Sequence, residues 1–225
     1  MEAFLMYIIE PIAFLIYVGA LTFYAWKIDG TWRYKVLSGY YFLATVLLTW
    51  AAFIFYSSST TRIYNILYLI TSLGLSFYFF SLLRDRWKKN IAIISGLATL
   101  LYFITNTEEI YFDSIGHVIA STGIVVLIFL YLHQIMNNVT EEPLSLNFDF
   151  WYVCIQLMYH LGSFAIFLSY NHFTYRYFSA GNDIKEVGQM LTYLWGVHNV
   201  LLFLGSLITW SGLLWIVYRR RSTLL

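Results

Sequence analysis

Ionisable side chains inside apolar segments are the residues of this chain that could do chemistry. His160 and His198 each lie within a long apolar run, and Glu10 lies near the start of the first run. A charged group at the centre of a bilayer costs at least roughly 2.5 kcal/mol, so such groups face partners or water rather than lipid. We therefore predict that these three side chains face the interior of the protein.

Further polar residues share helical faces with these groups. Asp113, His117 and Ser121 are spaced four residues apart, which places them on one face of a helix. Gln156 and Ser163 lie on the same face of the sixth apolar segment as its histidine. A polar cavity between the first, fifth, sixth and seventh segments is the simplest common explanation. The residues predicted to bind a ligand there are Glu10, His117, Tyr159, His160, Trp195, His198 and Asn199.

A zinc or haem site is an alternative that the same residue types allow. Histidine and carboxylate ligands suit zinc or iron, and His160 and His198 could hold a haem between two helices. However, the chain has no His-x-x-x-His pair and no His-Glu-x-x-His motif. We expect no cofactor and no metal ligand. The third interpretation is that each histidine forms hydrogen bonds with a neighbouring helix in a polar core.

Seven apolar segments must position these side chains. Hydrophobic residues make up 60% of the chain and charged residues 11%, whereas a soluble domain has roughly 25% charged residues. A helix of about 20 apolar residues crosses a bilayer. The sequence therefore predicts an all-α polytopic membrane protein, in which residues 1–225 form a single bundle of seven transmembrane helices. The predicted spans are Phe4–Trp26, Val36–Tyr56, Ile63–Leu83, Ile91–Thr105, Ser114–Met136, Phe150–Tyr170 and Leu191–Tyr218.

The distribution of basic residues predicts the orientation of the bundle. Lysine and arginine concentrate in the first and third connectors and after the last span, at Lys27, Arg33, Lys35, Arg84, Arg86, Lys88, Lys89, Arg219, Arg220 and Arg221. Such residues are in excess on the cytoplasmic side. With seven spans, the short fourth one included, these positions share one side, so we predict a cytoplasmic C-terminus and an N-terminus outside. The fifth connector, which holds Glu141, Glu142 and Asp149 and no base, departs from the pattern.

Two further expectations concern the ends of the spans. Tryptophan and tyrosine are enriched at membrane interfaces. The expected members of such a belt include Trp26, Trp32, Tyr34, Trp87, Trp151 and Tyr218. A polar connector that contains His172 and Asp183 is predicted between the last two spans.

Four stretches of the chain carry a resemblance to known membrane proteins. They are Tyr64-Asn65-Ile66-Leu67-Tyr68, Phe150-Trp151, Tyr159 with Gly162 and Phe167, and Leu194-Trp195-Gly196-Val197-His198-Asn199. In these stretches, and in its layout, the chain resembles an uncharacterised group of small seven-helix membrane proteins from Bacteroidetes-type bacteria. Members of that group are often encoded beside sensor histidine kinases that lack an input domain. The resemblance implies a membrane sensor or accessory subunit, and it carries over no catalytic residue.

The resulting hypothesis is a multi-pass protein of the bacterial inner membrane with a sensory or signalling function. Its outward-facing pocket would take a small molecule or a lipid, and its partners would be membrane lipid and a cytoplasmic histidine kinase or another membrane protein. We expect no enzymatic activity. We also expect no nucleic-acid partner, because the basic loops are short and account for topology. The alternatives are a metal- or haem-dependent membrane enzyme acting on a lipid and a structural partner in a membrane complex.

Overall fold

The fold is all-α, as predicted. The computed structural model describes residues 8–54, 60–106, 113–137, 143–179 and 184–222. These residues form seven α-helices and one 3-10 helix, and no strand occurs among them. The α-helices are α1 (Ile9–Lys27), α2 (Trp32–Ile54), α3 (Thr60–Leu82), α4 (Arg86–Thr105), α5 (Ser114–Asn137), α6 (Phe148–Ser179) and α7 (Ile184–Ser222), and the 3-10 helix is Leu144–Leu146.

Five of the helices in the described ranges are long and apolar enough to cross a membrane. The qualifying segments are Ile9–Lys27, Ile63–Leu82, Ser114–Asn137, Phe148–Tyr170 and Glu186–Arg220. They belong to α1, α3, α5, α6 and α7, and they are consistent with an integral membrane protein. The remaining two helices, α2 and α4, do not meet the same criteria of length and apolar composition. Each of them has basic residues in its first turn.

The α4 helix is longer than the predicted fourth span because it begins at Arg86 rather than at Ile91. Its 20 residues rise about 30 Å at 1.5 Å per residue, which matches the hydrocarbon thickness of a typical bilayer. The basic residues at its start lower the hydropathy of the segment without preventing helix formation. Hydropathy alone therefore underestimates the length of this helix.

The helices pack as a closed ring. Each helix contacts the next one in the chain, and α7 returns to contact α1. Because α3 also contacts α5, α4 lies on the outer side of that pair. Glycine allows close approach where α7 crosses its neighbours. A Cβ atom added at Gly205 would lie 2.8 Å from the Tyr17 hydroxyl and 3.1 Å from Cγ2 of Ile155.

The last two helices extend further than predicted. With 32 and 39 residues, α6 and α7 are roughly 48 and 58 Å long, well beyond the hydrocarbon thickness. His172, which was expected in a polar connector, lies within α6; Asp183 lies outside the described residues. Hydropathy marks where a membrane span ends, whereas the helix continues because residues 171–179 contain neither proline nor glycine.

Candidate functional site

A cavity lies between six of the helices, toward the end of the bundle at which α1 begins. We call it the histidine cavity. Its lining residues are Glu10 and Phe14 of α1, Tyr40 and Tyr41 of α2, Tyr64, Leu67, Tyr68 and Thr71 of α3, His117 of α5, Gln156 and Tyr159 of α6, and Trp195, His198 and Leu202 of α7. The volume of the cavity is about 20 Å³, and one water molecule needs roughly 10 to 15 Å³. The cavity therefore fits an occupant of about the size of water.

Most of the predicted ligand-binding residues come together at this cavity. Those that line it are Glu10, His117, Tyr159, Trp195 and His198. The other two, His160 and Asn199, are also buried, with exposed fractions of 1% and 0%, but they are not part of its lining. The predicted set of helices is incomplete, because α2 and α3 contribute to the wall as well as α1, α5, α6 and α7.

The imidazole of His198 is held by two hydroxyl groups of α6. Its Nε2 lies 3.2 Å from the Tyr159 hydroxyl, and its Nδ1 lies 3.1 Å from Oγ of Ser163. A neutral imidazole has one N–H donor and one acceptor nitrogen, so one of these hydroxyl groups donates and the other accepts. Both ring nitrogens are thereby engaged, and a metal or haem iron would have to break one of the hydrogen bonds.

The other two buried histidines are connected through Tyr68 and Ser121. The Tyr68 ring lies against His117, with their centroids 3.6 Å apart, and the Tyr68 hydroxyl forms a hydrogen bond with the Ser121 hydroxyl. The same serine lies 3.4 Å from Nδ1 of His160. The spacing of His117 and Ser121 correctly places both residues on an inward face of α5.

Asp113 has a structural position at the start of α5. Its Oδ1 accepts hydrogen bonds from the backbone N–H of Gly116 at 2.8 Å and from the Tyr102 hydroxyl at 3.2 Å. An aspartate just before a helix commonly satisfies a backbone N–H of the first turn in this way. Asp113 therefore caps α5 and is not part of the cavity lining.

Glu10 is the carboxylic acid of the histidine cavity. The residue is only 4% exposed, and Tyr64 is a hydrogen-bond partner of its carboxyl group. The Oε2 atom has no hydrogen-bond partner among the residues that the structure describes. The described lining also contains no lysine or arginine. An acidic group thus faces the cavity without a lysine or arginine in the described wall.

The tyrosines of α2 and α3 are missing from the sequence prediction. Tyr64, Tyr68 and Thr71 are spaced by four and three residues and therefore share one face of α3. This spacing is visible in the sequence and could have identified that face. Tyr40 and Tyr41 of α2 are adjacent, so periodicity gives no reason to assign both of them to the same cavity.

A second polar group, which we call the Asp149 cluster, consists of the buried residues Tyr34, Tyr78 and Asp149 and the half-buried Arg33. Oδ1 of Asp149 accepts hydrogen bonds from the hydroxyls of Tyr34 and Tyr78, both at 2.6 Å, and Oδ2 accepts one from Arg33 at 2.9 Å. Tyr34, which was predicted as a member of an interfacial belt, is 1% exposed and faces the interior of the bundle. Sequence position near a span end does not reveal that this side chain points inward.

The Asp149 cluster lies where α1 ends and α6 begins, as shown by the stacking of Tyr24 on Phe148 with centroids 4.2 Å apart. Polar side chains on one face of α6 connect this end with the histidine cavity. Between the two ends, the hydroxyls of Tyr152 and Tyr41 lie 2.8 Å apart, and Gln156 donates to Tyr41 at 3.4 Å. The buried polar residues of this face are Asp149, Tyr152, Gln156, His160 and Ser163.

The donor set of the described residues does not assemble a metal site. No group of three or more histidine, cysteine, aspartate and glutamate side chains comes together in the described ranges in a way that could hold a metal ion. Comparison with family models, curated proteins and solved structures finds no match to this chain.

Proposed function

We propose that the chain is a seven-span protein of the bacterial inner membrane that acts as a sensory or signalling subunit. In this proposal the N-terminus is outside, the C-terminus is cytoplasmic, and the histidine cavity receives a small polar ligand from the outer side. The observation that carries the proposal is the gathering of Glu10, His117 and His198 around one small cavity within an apolar bundle. Such polar groups in membrane helices mark functional sites by default.

The outward faces of α2 and α4 support seven spans rather than five. On α4, four large apolar side chains recur at helical spacing and are each more than half exposed, namely Ile94, Leu97, Leu101 and Ile104. On α2 the corresponding exposed residues are Phe42, Leu43, Val46 and Trp50. Contiguous apolar faces of this kind require an apolar neighbour, and in a membrane bundle that neighbour is lipid.

The contact between Arg33 and Asp149 supports the proposed orientation. Asp149 is one of the three acids that make the fifth connector depart from the basic pattern. Its carboxylate lies 2.9 Å from the guanidinium of Arg33, a residue predicted in the first connector that lies in the first turn of α2. The acid therefore neutralises a base of the same end of the bundle, and the remaining basic residues still favour a cytoplasmic location for that end.

The ligand class follows from the volume of the cavity. A lipid chain does not fit a space of about 20 Å³, so lipid is proposed as the surrounding solvent and not as the ligand. The proposed partner, a cytoplasmic histidine kinase or another membrane protein, rests on the resemblance described above. It would contact the end of the bundle that carries Lys35, Arg86 and the C-terminal arginines.

Reporter fusions test the proposed topology. A reporter fused after Leu225 should be active only in its cytoplasmic form, and one inserted within residues 106–112 should report the outside. The opposite pair of results would overturn the orientation. A C-terminus outside, with the other fusion unchanged, would reduce the number of spans to six.

Spin-label distances test the sensory function separately from the topology. In a Cys154→Ser background, labels at Lys35→Cys and Arg86→Cys would report on the proposed cytoplasmic end, since both positions are exposed. If the protein is a sensor, His198→Phe should alter the cavity and thereby change the distribution of distances between the two labels. The matched control is Leu204→Phe on the exposed side of the same helix. If neither substitution changes the distances, the chain is a rigid structural subunit instead.

A further inference from the structure

We infer that the histidine cavity is a binding site for ammonium or a small primary alkylammonium ion. This inference rests on the proposed use of the cavity as a ligand site and names the chemical class of its ligand. Three observations support this inference: the charge of the cavity wall, the aromatic character of the rest of the wall, and the volume of the cavity.

The charge of the wall favours a cation. Glu10 is the acidic residue of the described lining, and no lysine or arginine accompanies it there. The three ion pairs formed by described residues involve Arg33 and Lys88 and not Glu10. Its Oε2 has no hydrogen-bond partner in the described part of the chain. A cation with N–H donors would supply both the missing charge and the missing hydrogen bond.

The rest of the wall is mostly aromatic. Aromatic rings are contributed by Phe14, Tyr40, Tyr41, Tyr64, Tyr68, Tyr159 and Trp195. Ring faces attract cations within roughly 6 Å of their centroids, and the attraction strengthens when water is excluded. The aromatic side chains also pack tightly on each other, as shown by the 5.0 Å separation of the Tyr64 and Trp195 ring centroids. A carboxylate within an aromatic wall is the chemistry that recognises ammonium groups.

The volume and the donor pattern distinguish ammonium from other cations. The space fits an occupant about as large as a water molecule, which excludes tetramethylammonium in this conformation. Potassium is of similar size to ammonium, but protein sites for it replace its hydration shell with rings of oxygen atoms. The lining of the histidine cavity combines carboxyl, hydroxyl and amide oxygens, which accept N–H hydrogen bonds, with many ring faces. It should therefore prefer ammonium over potassium and sodium.

Thermal unfolding of the purified full-length protein in detergent tests this inference. Ammonium chloride is compared with potassium chloride and sodium chloride at constant ionic strength. A ligand that binds the folded state raises Tm progressively with its concentration. Ammonium should do so at concentrations at which potassium and sodium have no effect, methylammonium should have a smaller effect, and tetramethylammonium none.

The variant Glu10→Gln tests the role of the carboxylate. It keeps the size of the side chain and removes its charge, so ammonium affinity should fall by about tenfold to a hundredfold, the loss expected for one charge-assisted hydrogen bond. The matched control is Glu186→Gln, which removes the charge of an exposed acid at the start of α7 and should leave the ammonium effect intact.

A binding measurement on the unmodified protein keeps the inference testable if Glu10→Gln does not fold. Radiolabelled methylammonium should bind in equilibrium dialysis and be displaced by ammonium but not by an equal concentration of potassium. The inference is overturned if potassium competes equally, if no methylammonium binds, or if Glu10→Gln retains wild-type affinity. The spin-label distances test the sensory function, and the binding measurements test the ammonium site. Ammonium binding can therefore fail while the sensory function is supported, and the sensory function can fail while ammonium binds.

Discussion

The histidine cavity and the Asp149 cluster contain similar residues but differ in the hydrogen bonding of their carboxylic acids. Each places a buried carboxylic acid among tyrosine hydroxyls at one end of the bundle. Asp149 accepts hydrogen bonds from two tyrosines and an arginine, whereas Glu10 has one carboxyl oxygen without a partner among the described residues. A fully satisfied buried acid holds helices together, and an incompletely satisfied one is available to a ligand. The comparison thus separates a structural site from a candidate binding site.

The largest expected effect belongs to Asp149→Asn. Removing this carboxylate leaves Arg33 without its closer acidic partner and weakens the bonds to Tyr34 and Tyr78, so the free energy of unfolding should fall by about 3 kcal/mol. Unfolding by SDS in mixed micelles measures the change. The control is Asp29→Asn, because Asp29 lies 3.8 Å from the same arginine and its side chain is 30% exposed. That substitution should cost less than about 1 kcal/mol.

An intermediate effect is expected for His198→Phe. The substitution keeps a ring in the wall but removes the hydrogen bonds to Tyr159 and Ser163, so the free energy of unfolding should fall by about 2 kcal/mol. The same unfolding assay measures it. His172→Phe is the matched control, because His172 is exposed and its replacement should change stability by less than about 0.5 kcal/mol. Equal effects of the two substitutions would mean that the hydrogen bonds of His198 do not contribute to stability.

The smallest effect is expected for Glu10→Gln. Without a lysine or arginine in the described wall, a buried Glu10 carboxylate gains little stabilisation from its surroundings, so replacing it by a neutral amide should change the free energy of unfolding by less than about 1 kcal/mol in either direction. Comparison with Asp149→Asn in the same assay provides the measurement. A loss as large as that of Asp149→Asn would show that Glu10 is structurally paired and would remove the distinction between the two sites.

Much of the histidine cavity was predictable from the costs of burial in a membrane. Glu10, His117 and His198 are polar groups within apolar segments, and the requirement that they avoid lipid predicts an inward position without knowledge of the packing. The requirement that polar groups avoid lipid does not determine which side chains become their neighbours. It therefore does not predict that His160 lies beside the cavity wall. It also does not predict that Tyr40 and Tyr41 of α2 belong to the wall, because tyrosine occurs in protein cores, in cavity walls and at membrane interfaces.

The Asp149 cluster could not be predicted for a different reason. Its members come from α2, α3 and α6, and Arg33 and Asp149 are 116 residues apart in the chain. By sequence position Arg33 belongs with the topogenic bases of the first connector, and Tyr34 with the interfacial aromatics. Which of these side chains turns inward depends on the rotation of α2 about its own axis, and that rotation is fixed by contacts with helices distant in sequence.

By itself the sequence determined the all-α fold, the positions of the apolar segments and the inward location of the polar groups within them. These properties depend on hydropathy and helical periodicity, which act locally along the chain. Only the tertiary structure decided that the helices close into a ring, that α6 and α7 continue beyond the apolar segments, and that one buried acid is paired while the other faces a cavity. Those outcomes depend on which helices become neighbours, and hydrogen-bond satisfaction is a property of such neighbours rather than of the residue itself.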